Sequence, residues 1–167
     1  MSNLEKTLSI IKPDAVERNL ENEIKEIFKN KGFLILKEKK IQIEKSEAEK
    51  FYKVHETKPF YNDLCAYLSS GPIVVMVLEK EGAVLGNREI MGATNPKEAA
   101  EGTIRKKYGI SIDKNSVHGS DSVDNAKIEI DFFFKDWIFL ILHADITCVL
   151  RQVFFLRDFL VYQYFLS

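Results

Sequence analysis

The stretch IVVMVL, residues 73–78, decides the fold: it contains six consecutive apolar residues and follows Gly71 and Pro72. Short apolar runs next to turn-forming residues are typical of strands that are buried on both faces of a sheet. β-branched side chains such as Ile and Val also favour extended backbone. The sequence therefore predicts that 73–78 is the central strand of a sheet.

Three further segments have the pattern of strands. TLSII, residues 7–11, is stopped by Pro13, which leaves Lys12 at the C-terminal end of the strand. FLILKEKKIQI, residues 33–43, mixes apolar and charged residues, as a strand with one solvent-exposed side does. NSVHGSD, residues 115–121, is predicted to contain a short strand that stops at His118.

Helical spacing of apolar residues and capping signals predict helices between these strands. Gly32 stands where a left-handed cap would end a helix through 20–31. Ser46 and Glu49 have the spacing of a capping box that opens the next helix. Asn95 and Pro96 look like an N-cap and a first-turn proline, which predicts another helix start. Further helices are predicted at 61–70, 83–92, 103–109 and from a cap at Asp121 or Ser122 to Phe134.

This order of elements predicts the fold class: an α+β domain with helices packed on one face of an antiparallel sheet. A chain of 167 residues suits one compact domain. The formal net charge of −1 argues against nucleic acid or an anionic membrane as a partner, because no global basic field exists. Any anion site must therefore be local.

The start of the chain predicts its cellular location, and the cysteines argue against two kinds of structural site. Charged residues occupy the first positions, where a signal peptide would need an apolar run, so we expect a cytoplasmic protein. Cys65 and Cys148 are far apart and form no CxxC pair. This spacing suggests neither a disulfide framework nor a zinc site.

His118 has the best local setting for chemistry. It is predicted at a strand end, before Gly119 and a capped helix whose N-terminus favours negative charge. A neutral imidazole is a competent nucleophile near neutral pH, and Gly119 would leave room for a ligand. Glu129, eleven positions later, could orient the ring if its helix folds back over the strand. An ordinary structural histidine remains the alternative at this point.

Cationic and hydroxyl side chains elsewhere could complete an anion site. Taken singly, Lys12, Arg88, Arg105 and Thr94 each look structural or solvent-exposed. Together they provide one ammonium, two guanidinium groups and one hydroxyl, the set needed to hold a polyphosphate beside a nucleophile. Their spacing along the chain does not establish that they converge.

Four blocks of residues, in this order, give the chain a strong resemblance to the nucleoside diphosphate kinases of bacterial type. The resemblance extends from about Thr7 to Phe134, and the His-Gly-Ser-Asp segment with its upstream Asn is highly specific to that family. The blocks are KPDAV at 12–16, REIMGATNP at 88–96, EGTIR at 101–105 and NSVHGSD at 115–121.

The resemblance implies a ferredoxin-like fold, with a four-stranded antiparallel sheet covered by helices. It implies transfer of the γ-phosphate of ATP or another nucleoside triphosphate to nucleoside diphosphates by a ping-pong route. Mg²⁺ is the implied cofactor, and it sits mainly on the phosphates. A homo-oligomer, either a tetramer or a hexamer, is the implied assembly.

Catalytic roles carry over by motif position. His118 matches the histidine that becomes phosphorylated, and Glu129 matches the carboxylate that hydrogen-bonds it. Lys12 matches the lysine that reaches the ribose 3′-hydroxyl and the transferring phosphate, with Tyr52 beside it. Asp121 matches the residue that holds Mg²⁺ through water.

The other matched positions contact the nucleotide. Asn115 matches the ribose contact. An apolar slot reads only the flat face of a base, which explains broad base specificity. The phosphate clamp corresponds to Arg88, Thr94 and Arg105, and the base slot to Phe60, Leu64 and Ile112.

These interpretations assign residues 1–134 to the kinase domain and 135–167 to an apolar C-terminal extension. Charged residues interrupt the extension before any apolar run reaches about 18 residues, which argues against a transmembrane helix. Membrane-surface binding, partner binding and subunit packing stay open for it, as does a cloning or reading-frame artefact. Nucleic-acid-binding and sensory modules share the fold pattern, and an inactive relative is a further alternative, although no matched site position is lost.

Overall fold

The structure, a computed structural model, describes residues 4–135 of the chain. Apart from Lys135, the predicted C-terminal extension lies outside the described residues. Within 4–135, no helix combines the length and apolar character that crossing a bilayer requires. The elements up to Phe133 form one compact unit.

One antiparallel sheet of four strands organises this unit. Its strands are β1 (Leu4–Ile11), β2 (Leu34–Ile41), β3 (Ile73–Glu81) and β4 (Val117–Gly119). They lie in the order β2-β3-β1-β4, and every neighbouring pair is antiparallel. The predicted central position of 73–78 is confirmed, because β3 pairs on both sides.

Helices connect the strands in the order expected for the ferredoxin-like arrangement. Gly32 has a φ of +81°, so the predicted left-handed cap after the second helix is confirmed. A short 3₁₀ turn, Lys53–His55, follows the third helix. The helices are α1 (Pro13–Glu17), α2 (Glu21–Asn30), α3 (Lys45–Phe51), α4 (Tyr61–Leu68), α5 (Ala83–Met91), α6 (Ile104–Tyr108) and α7 (Val123–Phe134).

The main core lies on one face of the sheet. Ile11 pairs with Val74, and both belong to a buried cluster that includes Met76 of β3 and Ile24 and Phe28 of α2. Burial of one such side chain contributes about 1.5–3 kcal/mol of hydrophobic stabilisation. All six residues of the 73–78 run are buried, so this strand anchors the unit.

The opposite face of the sheet is also covered, which corrects the prediction of helices on one face only. Ile10 pairs with Val75 on one side and His118 on the other, and Ile10 and Val75 are fully buried. Phe51 at the end of α3 lies against the His118 ring, and Lys39 of β2 donates to the Phe133 carbonyl of α7. The second face therefore carries His118 beneath α3 and α7.

Two predicted helix starts were wrong. The cap of α3 is Glu44, whose N–H donates to Glu47 Oε2 at 2.9 Å, and Ser46 lies inside the helix. Ile43 and Ala48, which flank this cap as a hydrophobic staple does, are both buried, and their burial explains the earlier start.

The second wrong prediction is the helix start at Asn95, because this residue begins a turn instead of a helix. Its Oδ1 accepts from the Lys97 N–H at 3.1 Å, and its carbonyl accepts from the Glu98 N–H at 3.0 Å. Asn side chains satisfy the backbone locally in this way, which competes with helix formation.

The N-terminus of α5 depends on a side chain from β1. Glu5 Oε1 accepts the N–H of Val84 at 2.7 Å, and this N–H has no partner within the helix. We expect Glu5→Ala to lower the free energy of unfolding by about 1 kcal/mol, measured by urea denaturation. Glu5→Gln keeps an acceptor and should lose less than half of that. Equal losses in both variants would contradict the capping role, and the exposed Glu89→Ala should stay within about 0.5 kcal/mol.

Candidate active site

One cavity of about 910 Å³ collects the predicted site residues from distant parts of the chain. It is bordered by the C-terminal end of β1, the α3–α4 region, α5, α6, β4 and α7. The predicted residues that line it are Lys12, Tyr52, Phe60, Leu64, Arg88, Thr94, Arg105, Ile112, Asn115, His118, Asp121 and Glu129.

His118 is held by a carboxylate within the cavity. Its Nε2 lies 3.1 Å from Glu129 Oε2, and the two side chains are 20% and 19% exposed. Ser120, which sequence reasoning did not include, donates its hydroxyl to the same Oε2 at 2.7 Å. This carboxylate favours a proton on Nε2, so in the neutral ring the lone pair is on Nδ1. An Nδ1 lone pair makes His118 a candidate nucleophile.

Aromatic rings surround His118. Phe51 and Tyr52 lie edge-on to the imidazole, with ring centroids 5.4 and 5.9 Å away. Burial, followed by the charge of Glu129, raises the pKa of Tyr52, so its phenol stays neutral. The sequence did not indicate Phe51 as a site residue, because its contact with His118 arises between separate elements.

Gly119 has a packing role that the sequence did not indicate. A Cβ there would lie 2.3 Å from Asn87 Nδ2 and 3.0 Å from two atoms of Met91. The glycine therefore lets β4 approach α5 closely. This contact corrects the expectation that Gly119 leaves room for a ligand.

Lys12 is an almost fully buried ammonium. Its side chain follows β1, is 5% exposed and donates from Nζ to Asn115 Oδ1 at 2.8 Å. Burial, and then the charge of Arg105, lowers the pKa of Lys12 to about 8, although Asp14 and Asp113 act in the opposite direction. Lys12 is thus mostly charged at neutral pH and loses this charge in the mildly alkaline range.

Arg105 is fixed from behind by backbone carbonyls. Its guanidinium donates to Gly92 at 2.9 Å and Val117 at 3.0 Å, while its buried Nε has no protein partner among the described residues. Burial, followed by the charge of Arg88, lowers the pKa of Arg105 to about 10. A bound anion would relieve this repulsion between cations.

The charges that line the cavity are predominantly positive. The cavity is lined by five cationic side chains and three carboxylates, although the whole chain has a net charge of −1. The cavity thus fits the expectation of a local anion site. The cations are Lys12, Lys50, Lys53, Arg88 and Arg105, and the carboxylates are Asp113, Asp121 and Glu129.

Asn115 is used mainly inside the protein. Its Nδ2 donates to the carbonyls of Thr94 at 3.1 Å and Ile112 at 2.8 Å, while its Oδ1 accepts from Lys12. Both amide hydrogens are thereby satisfied, so Oδ1 is the atom left for a ligand. The structural effect of Asn115 is to hold Lys12 against the loop that carries Thr94.

Apolar residues at the mouth of the cavity are unusually accessible. Phe60 is 49% exposed and Ile112 is 56% exposed, and Leu64 also lines the cavity. His55 lies 6.2 Å from the Phe60 ring, measured between centroids. Exposed aromatic and aliphatic groups of this kind suit a flat aromatic ligand.

Asp121 is the residue that the sequence predicted to hold Mg²⁺ through water. The Nδ2 of Asn125 donates to Asp121 Oδ1 at 2.6 Å, and this hydrogen bond lowers the pKa of Asp121. Residues 4–135 contain no group of three His, Cys, Asp or Glu side chains arranged to hold a metal ion. A single ionised carboxylate fits a magnesium ion that takes its other ligands from phosphate and water.

Comparisons with known proteins agree on one family. The sequence model described as "Nucleoside diphosphate kinase" matches residues 5–138. The nucleoside diphosphate kinase of Campylobacter jejuni subsp. jejuni serotype O:6 (strain 81116 / NCTC 11828) is 60% identical over 132 residues, which cover 79% of this chain and 96% of that protein. The match therefore spans nearly the whole relative.

Two solved structures are similar to this chain. A crystal structure of the Aquifex aeolicus nucleoside diphosphate kinase has a TM-score of 0.77 and 41% identity, and the match covers 78% of this chain and 95% of that one. The apo enzyme from Encephalitozoon cuniculi has a TM-score of 0.74 and 36% identity, and covers 80% and 99% of the two chains.

The close packing at Gly119 makes a stability prediction. Gly119→Ala should lower the free energy of unfolding by about 1–3 kcal/mol, since Asn87 or β4 must move to admit the methyl group. The matched control is Gly71→Ala, whose Cβ would lie an ordinary 3.5 Å from Pro13 Cβ. Chemical denaturation of both variants tests the prediction, and equal stability would contradict it.

Proposed function

The chain belongs to the nucleoside diphosphate kinase family, and from that premise we propose that it transfers the γ-phosphate of a nucleoside triphosphate to nucleoside diphosphates through a phosphohistidine at His118. The observation that carries this proposal is the hydrogen bond between His118 Nε2 and Glu129. It lies in a cavity whose charged lining residues are mainly cations. A nucleophile and an anion site thus occupy the same place.

In the first half-reaction, the Nδ1 lone pair of His118 attacks the γ-phosphorus. The N–P bond forms, the bond from phosphorus to the bridging oxygen breaks, and its electron pair leaves on the nucleoside diphosphate. Glu129 accepts the Nε2–H throughout and stabilises the positive charge that develops on the ring. Ser120 holds the Glu129 carboxylate in place by its 2.7 Å hydrogen bond.

In the second half-reaction, a terminal oxygen of another nucleoside diphosphate attacks the phosphorus. The N–P bond breaks, and its electrons return to Nδ1 as the lone pair. Because the ring regains its initial state, one site serves donor and acceptor nucleotides in turn. This is the ping-pong route.

The cations bind and orient the phosphates. Phosphoryl transfer depends on positioning and charge stabilisation, and one guanidinium at the transferring group can be worth about 10³ or more in rate. Arg105 is held rigidly by two carbonyls, Arg88 and Thr94 are exposed at the cavity, and Lys12 supplies a buried charge. Lys12 would also contact the ribose 3′-hydroxyl, with Tyr52 beside it.

The exposed apolar residues bind the base. Phe60 would stack on one face of the base, with Leu64 and Ile112 beside it, while Oδ1 of Asn115 is left to contact the sugar. Stacking contacts do not read hydrogen-bonding edges. We therefore expect broad specificity for the base.

Magnesium would bind on the nucleotide phosphates, with Asp121 holding it through water. The ion neutralises phosphate charge when it is bound. The ionised state of Asp121 supports this role, because its hydrogen bond from Asn125 favours the carboxylate.

The broader predictions follow from the same proposal. Residues 1–134 would carry the activity, in the cytoplasm and as a homo-oligomer, either a tetramer or a hexamer. ATP and other nucleoside triphosphates and diphosphates would be its ligands, and neither nucleic acid nor a membrane is expected as a partner.

Labelling with γ-³²P-ATP and Mg²⁺ tests the nucleophile. The parent protein should take up an acid-labile, base-stable label that leaves when a nucleoside diphosphate is added. His118→Ala should take up none and lose at least about 10³-fold in turnover. Arg88→Ala should still take up label, but more slowly.

His55→Ala is the control, because this second imidazole lines the same cavity. It should be labelled like the parent. The assignment of His118 as the nucleophile would be contradicted if His118→Ala kept near-normal transfer. It would also be contradicted if His55→Ala lost the label while His118→Ala kept it.

The lowered pKa of Lys12 makes nucleotide binding dependent on pH. Above its pKa of about 8 the ammonium deprotonates, while the phosphates, with a last pKa of about 6, stay fully charged. The affinity for Mg-ADP, measured calorimetrically from pH 7 to 9.5, should therefore begin to fall near pH 8. Lys12→Arg keeps its charge across this range, so a profile as steep as that of the parent would contradict the prediction.

A further inference from the structure

A buried carboxylate lies beneath the cavity and does not line it. Asp14, on α1, is 5% exposed and accepts three side-chain hydrogen bonds. The donors are the Tyr67 hydroxyl, Arg18 Nη2 at 2.8 Å and Ser116 Oγ at 3.1 Å. Tyr67 belongs to α4 and Ser116 immediately precedes β4, so Asp14 joins three separate parts of the fold.

Arg18 strengthens this junction from the other side. Its Nε donates to the Asp14 carbonyl at 2.8 Å, and its Nη2 also reaches the Tyr108 carbonyl at 2.9 Å and Ser116 Oγ at 3.2 Å. Ser116 thus contacts both members of the Asp14–Arg18 ion pair, whose side chains are 3% and 35% exposed. We call Asp14, Arg18, Tyr67 and Ser116 the Asp14 network.

Ser116 has an unfavourable backbone conformation. Its φ is +70°, and the Val117 N–H donates to the Asn115 carbonyl at 2.8 Å, which closes a tight three-residue turn. A residue other than glycine or asparagine rarely adopts this conformation unless its surroundings enforce it. In this protein the surroundings are the Asp14 network.

The strained turn connects groups that the proposed reaction uses. The Ser116 carbonyl accepts the N–H of Lys12 at 2.8 Å, Asn115 is the first residue of the turn, and His118 directly follows the turn. A change at Ser116 would therefore move Lys12, Asn115 and His118 relative to one another.

We propose that Asp14 is a positioning residue for phosphoryl transfer: with Tyr67 and Arg18, it holds the Ser116 turn in its strained form and so fixes Lys12 and Asn115 relative to His118. The inference rests on the proposed function. It adds residues that touch neither the nucleotide cavity nor the reacting atoms.

Charge supports the same conclusion. The groups that act on the Lys12 ammonium are Arg105, which disfavours its charge, and Asp14 and Asp113, which favour it. The Tyr67 ring also lies beneath Lys12, with Nζ 5.7 Å from its centroid. Asp14 therefore helps to keep Lys12 protonated as well as positioned.

Tyr67→Phe is the sharpest test, because it removes one hydroxyl from the network and keeps the ring beneath Lys12. We expect kcat to fall about tenfold or more, since misplacement of a catalytic group is felt in the transition state, while the KM for nucleotide changes less than threefold. Tyr61→Phe is the matched control, because its hydroxyl, also on α4, donates to Glu49 outside the network. It should keep parental kcat.

Ser116 variants separate positioning from simple loss of stability. Ser116→Gly and Ser116→Ala both lose Oγ, but only glycine adopts a positive φ without strain. Added to Tyr67→Phe, Ser116→Gly should therefore restore part of kcat, whereas Ser116→Ala should lower it further. If the network only stabilised the fold, adding Ser116→Gly would not restore kcat while leaving KM unchanged.

Asp14→Asn gives an independent readout. Without the Asp14 charge, Lys12 should deprotonate at lower pH, so the alkaline limb of the kcat/KM profile should shift to lower pH. If this variant does not fold, Tyr67→Phe alone decides the question.

The proposal is overturned if Tyr67→Phe keeps kcat within twofold of Tyr61→Phe, or if Ser116→Gly and Ser116→Ala behave alike. If the parent protein is active and the network variants keep its kcat, this inference is refuted but the proposed function is not. Retention of transfer by His118→Ala would refute the proposed function instead.

Discussion

The pairing of β1 with β4 is the interaction on which the site depends. It consists of three residue pairs, of which Ile10 with His118 is the central one. Side chains extend this short ladder: Ser9 Oγ donates to the His118 carbonyl at 3.2 Å, and Leu8 N–H donates to Ser120 Oγ at 3.3 Å. Because Lys12 directly follows β1, one pairing places the imidazole and the ammonium at neighbouring points of the sheet.

Burial of like charges around the cavity is the second physical feature of the molecule. Lys12 and Arg105 each have a lowered pKa because they are removed from water and lie near another cation. A bound phosphate would reduce this repulsion between the cations. The repulsion in the free protein therefore increases the affinity for anions. Rigid carbonyl partners at Arg105 keep the cations from relaxing away from the site.

Several elements were predictable because they depend on neighbouring residues. The apolar run at 73–78, the stop at Pro13 and the cap at Gly32 all act within a few positions of the chain. The errors have a different origin. Ser46 and Asn95 have good capping chemistry, but burial of Ile43 moved the first start and a local Asn turn replaced the second. Gly119 was predicted to leave room for a ligand. That prediction failed because Asn87 occupies this space, and its position depends on how α5 packs on β4.

The sequence by itself determined the secondary-structure pattern, the family resemblance and the residue types that the chemistry needs. Only the tertiary structure decided that these residues meet in one cavity, that Ser120 and Phe51 surround the His118–Glu129 pair, and that Asp14 supports the Ser116 turn. The reason is distance along the chain: Lys12 and Asn115 are 103 positions apart, and Asp14 and Ser116 are 102 apart. Such contacts depend on how the strands pair and the helices pack, which no local pattern encodes.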